Sequence, residues 1–353
     1  MKKNIIMLSI KEVAKLTGLS TATVSRALDS RYAARVKPET RKKILEVCDS
    51  ANYRPDMSGR SFVTGKSFKI GFISADPAGD CGNQLFGFFL HGAIFELQNA
   101  AYNLLILGSP HTPEQESQVI NFLRSNVADG YIIGNSLVTD KVSEAVNNCK
   151  VPVLMLEKQL ASPNSLIVRR DIKPAYREIW NDIAPEFYGK TVFCSQENIF
   201  NRYDTACECA PPGVHLPLIS LQSGKNFAEI RHLTACDARK KIAVLKKYRI
   251  FWCSSDLIAL GVKDALEEIG LSMGKDFFLI GFDNMEGNRN FCSTPVLSTV
   301  DSCWEKIGRL SAQMLLDAIN GKISQRTVEF RLSYLRRRSF PGFGHDTMAM
   351  TGE

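Results

Sequence analysis

The run Ser9–Leu28, SIKEVAKLTGLSTATVSRAL, constrains this chain more tightly than any other stretch. Ser9 and Glu12 have the spacing of a capping box, in which a hydroxyl and a carboxylate three residues apart each satisfy an amide left open at a helix start. A first helix therefore begins at Ile10. Its apolar residues Ile10, Val13, Ala14 and Leu16 recur at helical spacing, and Gly18 supplies the backbone freedom of a tight turn. Ser20 then caps a second helix that turns Val24, Ala27 and Leu28 inward and Thr21, Ala22, Ser25 and Arg26 outward. Pro38 suits the first turn of a third helix, whose stripe Ile44, Leu45, Val47 and Cys48 closes a three-helix core. An outward face of small, hydroxyl and arginine side chains fits a DNA major groove.

Charge agrees with a nucleic-acid partner at this end. The chain carries a formal net charge of +7, and residues 1–66 hold many lysines and arginines against few acids. At 353 residues there is room for two or three domains, of which the basic head takes about sixty residues. Ten cysteines stand at irregular spacing. The opening MKKNIIMLSI is too short an apolar run for a signal core, and Lys11 and Glu12 follow it at once. No apolar stretch approaches 20 residues, so no membrane span is expected, and a reducing cytoplasmic compartment is. Cys207 and Cys209 form a CxC pair with Cys194 upstream, which leaves a metal or thiol site open; paired clusters of zinc spacing are absent, so buried thiols without metal or cofactor are the expectation.

Beyond Ser67 the pattern alternates. FKIGFIS, YNLLILGS, ADGYIIGN and VPVLMLEK read as strands separated by the helical stretches LFGFFLHGAIFELQNA, EQESQVINFLRSN and VSEAVNNC. A second unit includes TVFCSQ, RIFWCSSD, a helix from Leu257 to Ile269, and DFFLIGFDN. Strands alternating with helices of this length imply an α/β architecture of parallel sheets with right-handed crossovers, and two such sheets bind ligands between the carboxyl ends of their strands. Enzyme readings find little to hold. The five histidines lie outside any HExxH motif, and no Walker loop, serine elbow or GxGxxG is present, so no catalytic constellation is expected.

Four motifs in order, IKEVAKLTGLSTATVSRALD, PETRKKI, YRP and GRSF, resemble the amino-terminal domain of the lactose-repressor (LacI-type) family. The body resembles that family's core, itself similar to periplasmic sugar-binding proteins, through KIGFIS, ADGYIIG, VPVLMLEK, SSDLIALG, LIGFDN, LSTVDSCWEKIGRLSAQMLLDAING and YLRRRSF. The resemblance spans roughly residues 8 to 340 and is loosest between Ile172 and Ile250.

The resemblance implies an all-α helix-turn-helix head over 1–54, a hinge helix and linker over 55–66, an amino-terminal effector subdomain over 67–170 and 299–328, a carboxy-terminal one over 171–298 and 329–343, and a tail over 344–353. It implies DNA contacts from Ser20, Thr21, Ala22, Thr23, Ser25, Arg26, Tyr53, Gly59, Arg60 and Phe62. Arg26 is the leading base reader, because a guanidinium donates two bonds to guanine. Phe62 stands at the family's minor-groove wedge position, while Asp56 and Gly59 depart from its asparagine and alanine; a flexible linker is the rival reading of this stretch. Between the second and third helices SRYAARVK is about two residues longer than the family's loop and adds Arg31, Arg35 and Lys37.

A small effector, a sugar or related metabolite, is implied between the subdomains, contacted by Asn83, Leu85, Phe86, Glu157, Arg202, Ser255, Asp256 and Asp283. Asp256 and Asp283 equally suit helix and turn capping. The expected protein is an allosteric transcription regulator, a repressor, that binds a pseudo-palindromic double-stranded operator as a homodimer. The tail SFPGFGHDTMAMTGE lacks the heptads of a tetramer helix. A solute-binding protein or a cleft enzyme carrying a DNA-binding head remains the alternative.

Overall fold

The computed structural model describes residues 8–28, 32–53, 61, 64–73, 84–108, 112–125, 127–134, 139–157, 165–196, 202–222, 224, 229–287, 294–323 and 325–343. The chain divides into two units, Met1–Ser67 and Phe68–Glu353.

In the first unit, α1 (Ile10–Thr17), α2 (Thr21–Leu28) and α3 (Pro38–Ser50) enclose a small core of Val13, Ala14, Val24, Ala27, Ile44, Cys48 and Tyr53. The capping box is formed: the Ser9 amide donates to Glu12 at 2.6 Å, and the Glu12 amide donates to the Ser9 hydroxyl at 3.4 Å. These bonds, the backbone one foremost, hold the Glu12 carboxyl below its ordinary range. Gly18 ends α1 in the left-handed region at φ 70°, which only glycine adopts freely. One expectation is corrected. Leu16 is 60% exposed, and the inward place goes to Thr17, whose hydroxyl donates to the Val13 carbonyl at 2.9 Å. The core stripe runs through positions 13, 14 and 17, and a threonine can lie on it because the helix itself takes up the hydroxyl.

The second unit holds two six-stranded sheets. The first is built from β1 (Lys69–Ile73), β2 (Asn103–Leu107), β3 (Gly130–Ile133), β4 (Val153–Leu156) and β5 (Ser165–Asp171), with α4 (Gln84–Asn99), α5 (Pro113–Arg124) and α6 (Asp140–Asn147) between them. The chain then enters the second sheet. It runs through α7 (Lys173–Asp182), β6 (Thr191–Ser195), α8 (Arg202–Glu208), β7 (Leu218–Ser220), α9 (Ile230–Lys240), α10 (Ile242–Leu245), β8 (Ile250–Cys253), α11 (Asp256–Glu267), β9 (Phe278–Phe282) and β10 (Ser298–Asp301). Finally α12 (Trp304–Ile319) and β11 (Thr327–Arg331) return to the first sheet and β12 (Ser333–Leu335) to the second.

The strand orders are β11-β5-β4-β3-β1-β2 and β12-β10-β9-β8-β6-β7, parallel throughout except for β12 against β10. GYII, VLML, IFWC and FLIGF are buried at every position, as strands covered on both faces must be. Strand pairing sets the crossings between sheets at Ile172, at Ser302–Cys303 and at Leu332. The second and third fall a few residues later than the boundaries expected at 298/299 and 328/329, because β10 pairs with β9 and β11 pairs with β5 through Arg331. Cys303 makes its crossing in the left-handed region, at φ 51°, with its amide donating to Asp301 at 2.9 Å.

On the first sheet α4 and α12 touch backbone to backbone. A Cβ at Gly92 would meet the Glu305 carbonyl oxygen, and one at Gly308 would meet the Phe89 carbonyl oxygen. Gly92→Ala should therefore lower stability by about 1–3 kcal/mol, the usual range for overpacking. Gly87→Ala on the same helix, with open space around it, should be neutral or stabilising. Urea midpoints of the two variants test this, and equal midpoints would contradict the close crossing.

Candidate nucleic-acid interface and ligand cleft

In the head, Ser20 caps α2: the Thr23 amide donates to its hydroxyl at 3.1 Å, and the two hydroxyls lie 2.9 Å apart. The cap fixes the helix start, and Thr21, Ala22, Ser25 and Arg26 are then exposed on one surface, with Thr23 half-buried beside them. The opposite stripe, Val24 and Ala27, is fully buried. Arg41, which pattern reading passed over, donates through Nε to the Ala27 carbonyl at 3.2 Å and so ties α3 to the end of α2. Tyr53 is only 6% exposed and belongs to the head core, so its ring is a packing element. Between α2 and α3 a 3-10 turn, Ala33–Arg35, holds the Arg35 guanidinium 5.3 Å over the Tyr32 ring. Arg31, Asp56, Gly59, Arg60 and Phe62 lie outside the described residues. Beside them, the Gly65 amide donates to the Ser61 carbonyl at 2.9 Å in a helical turn.

In the second unit the carboxyl ends of the strands carry two guanidinium–carboxylate pairs. Glu157, just past β4, accepts a hydrogen bond from the Arg170 Nε near the end of β5, and the Arg170 guanidinium lies 4.2 Å over the Trp304 ring. Asp283, just past β9, pairs with Arg202 at 3.4 Å. Arg202 opens α8, donates to the Ser254 carbonyl at the end of β8, and lies 3.6 Å over the Phe282 ring. Burial pushes the Asp283 carboxyl above its ordinary range, and the Arg202 and Arg170 charges oppose that rise. Arg170, on the first sheet, thus stands close to the pair on the second, and the strand ends of the two sheets form one site. Glu157 and Asp283 both hold non-glycine backbone at positive φ, 67° and 108°. Strain of this kind persists where surrounding structure enforces it, as at ligand sites.

The expected effector residues divide. Glu157, Arg202 and Asp283 come together here. Leu85 and Phe86 are half-buried on the first turn of α4, with the Phe86 ring 5.3 Å from Phe72. Ser255 and Asp256 are committed elsewhere. The Ser255 hydroxyl caps α11 by accepting from the Ile258 amide at 3.3 Å, and the Asp256 oxygens accept from the Thr299 hydroxyl and the Met285 amide, each at 2.7 Å. Asp256 is a buried pin between α11, β10 and the loop after β9. Asn83 lies outside the described residues. Arg170, Tyr176 and Trp304 escaped pattern reading; the one signal was an Arg-Arg-Asp run closing an otherwise apolar strand.

The cysteines gather at no common point. Cys194 faces one core in register with Cys253, whereas Cys207 and Cys209 pack against another. Among the described residues no three metal-ligating side chains converge, and no helix is long and apolar enough to cross a membrane.

Residues 9–56 match the bacterial regulatory proteins of the lacI family, and residues 228–340 match the periplasmic binding protein-like domain. The HTH-type transcriptional regulator RegA of Clostridium saccharobutylicum is 26% identical over 338 residues, which cover 89% of this chain and 93% of its own. The chain belongs to the lacI family of bacterial regulatory proteins. It is a DNA-binding regulator of transcription. Solved structures share the fold of this lacI-family chain. The lac repressor dimer bound to operator and the anti-inducer ONPF has a TM-score of 0.71 at 18% identity, over 95% of this chain and 99% of that one. The complex of the regulator CelR with cellobiose has a TM-score of 0.61 at 15% identity, over 94% and 99%.

Asp256 makes the core's stability pH-dependent. Burial raises its carboxyl to about 8, against an ordinary value near 4. The folded state therefore keeps a proton that the unfolded chain releases, and stability declines as pH rises from about 4 to about 8. Asp256→Asn should flatten that decline in melting temperature; parallel curves for variant and parent would contradict it.

Proposed function

We propose that this regulator is a cytoplasmic repressor that binds a pseudo-palindromic operator as a homodimer, with operator affinity set by a small molecule held between the strand ends at Glu157, Arg202 and Asp283. The observation that carries the DNA half is the exposed surface of α2, where Thr21, Ala22, Ser25 and Arg26 stand together on a helix pinned by the Ser20 cap and Arg41. Hydroxyls suit phosphates, the Ala22 methyl suits thymine, and Arg26 suits guanine. Gly59, Arg60 and Phe62 complete the DNA contacts in this reading, with Phe62 as the minor-groove wedge.

A dimer is favoured because one recognition helix reads too few base pairs for useful selectivity. The surface of the core supports it. β2 is an outer strand with Ile106 43% exposed, and α4 beside it presents Phe95 at 47%. An apolar edge strand with an aromatic neighbour invites a second copy. The paired charges of the cleft suit a polyhydroxyl effector, as does the cellobiose carried by the CelR structure. Effector binding coupled to operator release by about 1–3 kcal/mol would change affinity about 5–150-fold.

Selection from a random DNA pool should return a palindrome whose binding weakens with salt. Arg26→Ala should lose about 1–3 kcal/mol of discrimination at one base pair of each half-site. Phe62→Ala should weaken operator binding much more than nonspecific binding. Absence of any selected palindrome would sink the regulator's operator reading, and equal losses for Phe62→Ala would sink the wedge. For the dimer, Phe95→Asp combined with Ile106→Asp should give monomers by sedimentation; an unchanged mass would place the interface elsewhere.

A further inference from the structure

Three hydrogen-bond donors near the paired charges are buried without a partner among the described residues: the Tyr176 hydroxyl, the Ser254 hydroxyl and the Trp304 indole N–H. Contacts join them in one series. The Arg170 guanidinium covers the Trp304 ring, the Arg170, Arg202 and Asp283 charges all reach the Tyr176 phenol, and Arg202 donates to the Ser254 carbonyl. The Tyr176 ring is held edge-on to Trp252 at 4.7 Å and to Phe282 at 6.4 Å, which leaves the hydroxyl little freedom to seek water. The Thr234 hydroxyl is also unpartnered, but it sits at the α9–α11 crossing against Gly261.

Buried donors without acceptors are rare, because each forfeits a bond it had with water. Three of them around one pair of strand ends mark a place where an acceptor arrives. The charges there are already matched, Arg170 with Glu157 and Arg202 with Asp283. An incoming anion would stand beside two carboxylates with little solvent to screen them.

We propose that Tyr176, Ser254 and Trp304 are specificity-determining donors of the effector site, and that the effector offers them uncharged oxygen acceptors, such as hydroxyl, ether or carbonyl groups, instead of a phosphate or carboxylate. This rests on the reading that the strand ends hold a small molecule. It extends that reading from the ion pairs to three residues the ion pairs do not include, and it excludes acidic and phosphorylated metabolites.

The test uses the full-length chain with D-ribose, D-glucose, cellobiose and mannitol as uncharged probes, and with gluconate and glucose 6-phosphate as charged ones, followed by calorimetry and melting temperature. An uncharged probe should bind and raise the melting temperature. Tyr176→Phe and Ser254→Ala should each weaken that binding about tenfold or more, as the loss of a hydrogen bond in a closed site does. The unliganded melting temperature of each variant should stay unchanged or rise, since an unsatisfied hydroxyl has been removed. Wild-type binding restricted to the charged probes overturns the assignment, as does wild-type affinity retained in both variants; either result leaves the effector site standing. Failure of every probe to bind the parent chain overturns the effector reading and this assignment together.

Discussion

Glu157 with Arg170 and Asp283 with Arg202 are charges taken out of water, and the architecture of the core depends on each finding its partner. Removing one member of such a pair leaves an uncompensated buried charge, which costs about 3–5 kcal/mol. The partners reach one another because each carboxylate sits immediately beyond a strand, on backbone turned to positive φ. That turn is unfavourable for a side chain with a Cβ, and it is sustained only where neighbouring strands hold it. Strain and desolvation therefore meet at the same two residues, at the end of a parallel sheet where ligands are ordinarily received.

The sheets make this possible by being featureless elsewhere. β3, β4, β8 and β9 are wholly buried, so their register is fixed by packing on both faces, and their last residues are delivered to a common edge. Three passages of the chain between the sheets restrict how the two halves can move. Each passage is short, and the one at Cys303 is itself a left-handed turn anchored on Asp301. Asp256 adds a further tie on the second sheet, drawing the start of α11 to Thr299 on β10 and to Met285.

Local rules made the head legible: a serine followed by a glutamate at three residues, a glycine in the turn and a proline at a helix start each name their own geometry. Leu16 shows where such rules end, because whether position 16 or 17 faces inward depends on where α2 and α3 lie. The long apolar strands were legible for the same reason that they are buried. β5, β7, β11 and β12 were not. SLIVRRD ends in charges that are satisfied only by Glu157 and Trp304, LIS is three residues long, and TVEFR alternates half-buried with exposed positions at the sheet edge. In the cleft, residue type pointed to Glu157, Arg202 and Asp283 correctly as a group, yet it could not separate them from Asp256. The acceptor role of Asp256 is spoken for by Thr299 and Met285, 43 and 29 positions away in the chain. Partners at that distance are a property of the fold.

Trp304 connects the cleft to the outer surface of the same sheet. It lies under Arg170 at the ligand end and is also the first residue of α12. One residue further, the Glu305 carbonyl bears on Gly92 of α4 with no side chain between the backbones. Arg309, a turn later, bonds to Glu305 and Glu96 and lies 3.9 Å over Phe95. Close-packed backbones transmit displacement because neither helix can yield without the other. A shift of Trp304 at the strand ends therefore moves α12 and α4 as a pair, and with them the exposed aromatic on which a second copy would rest.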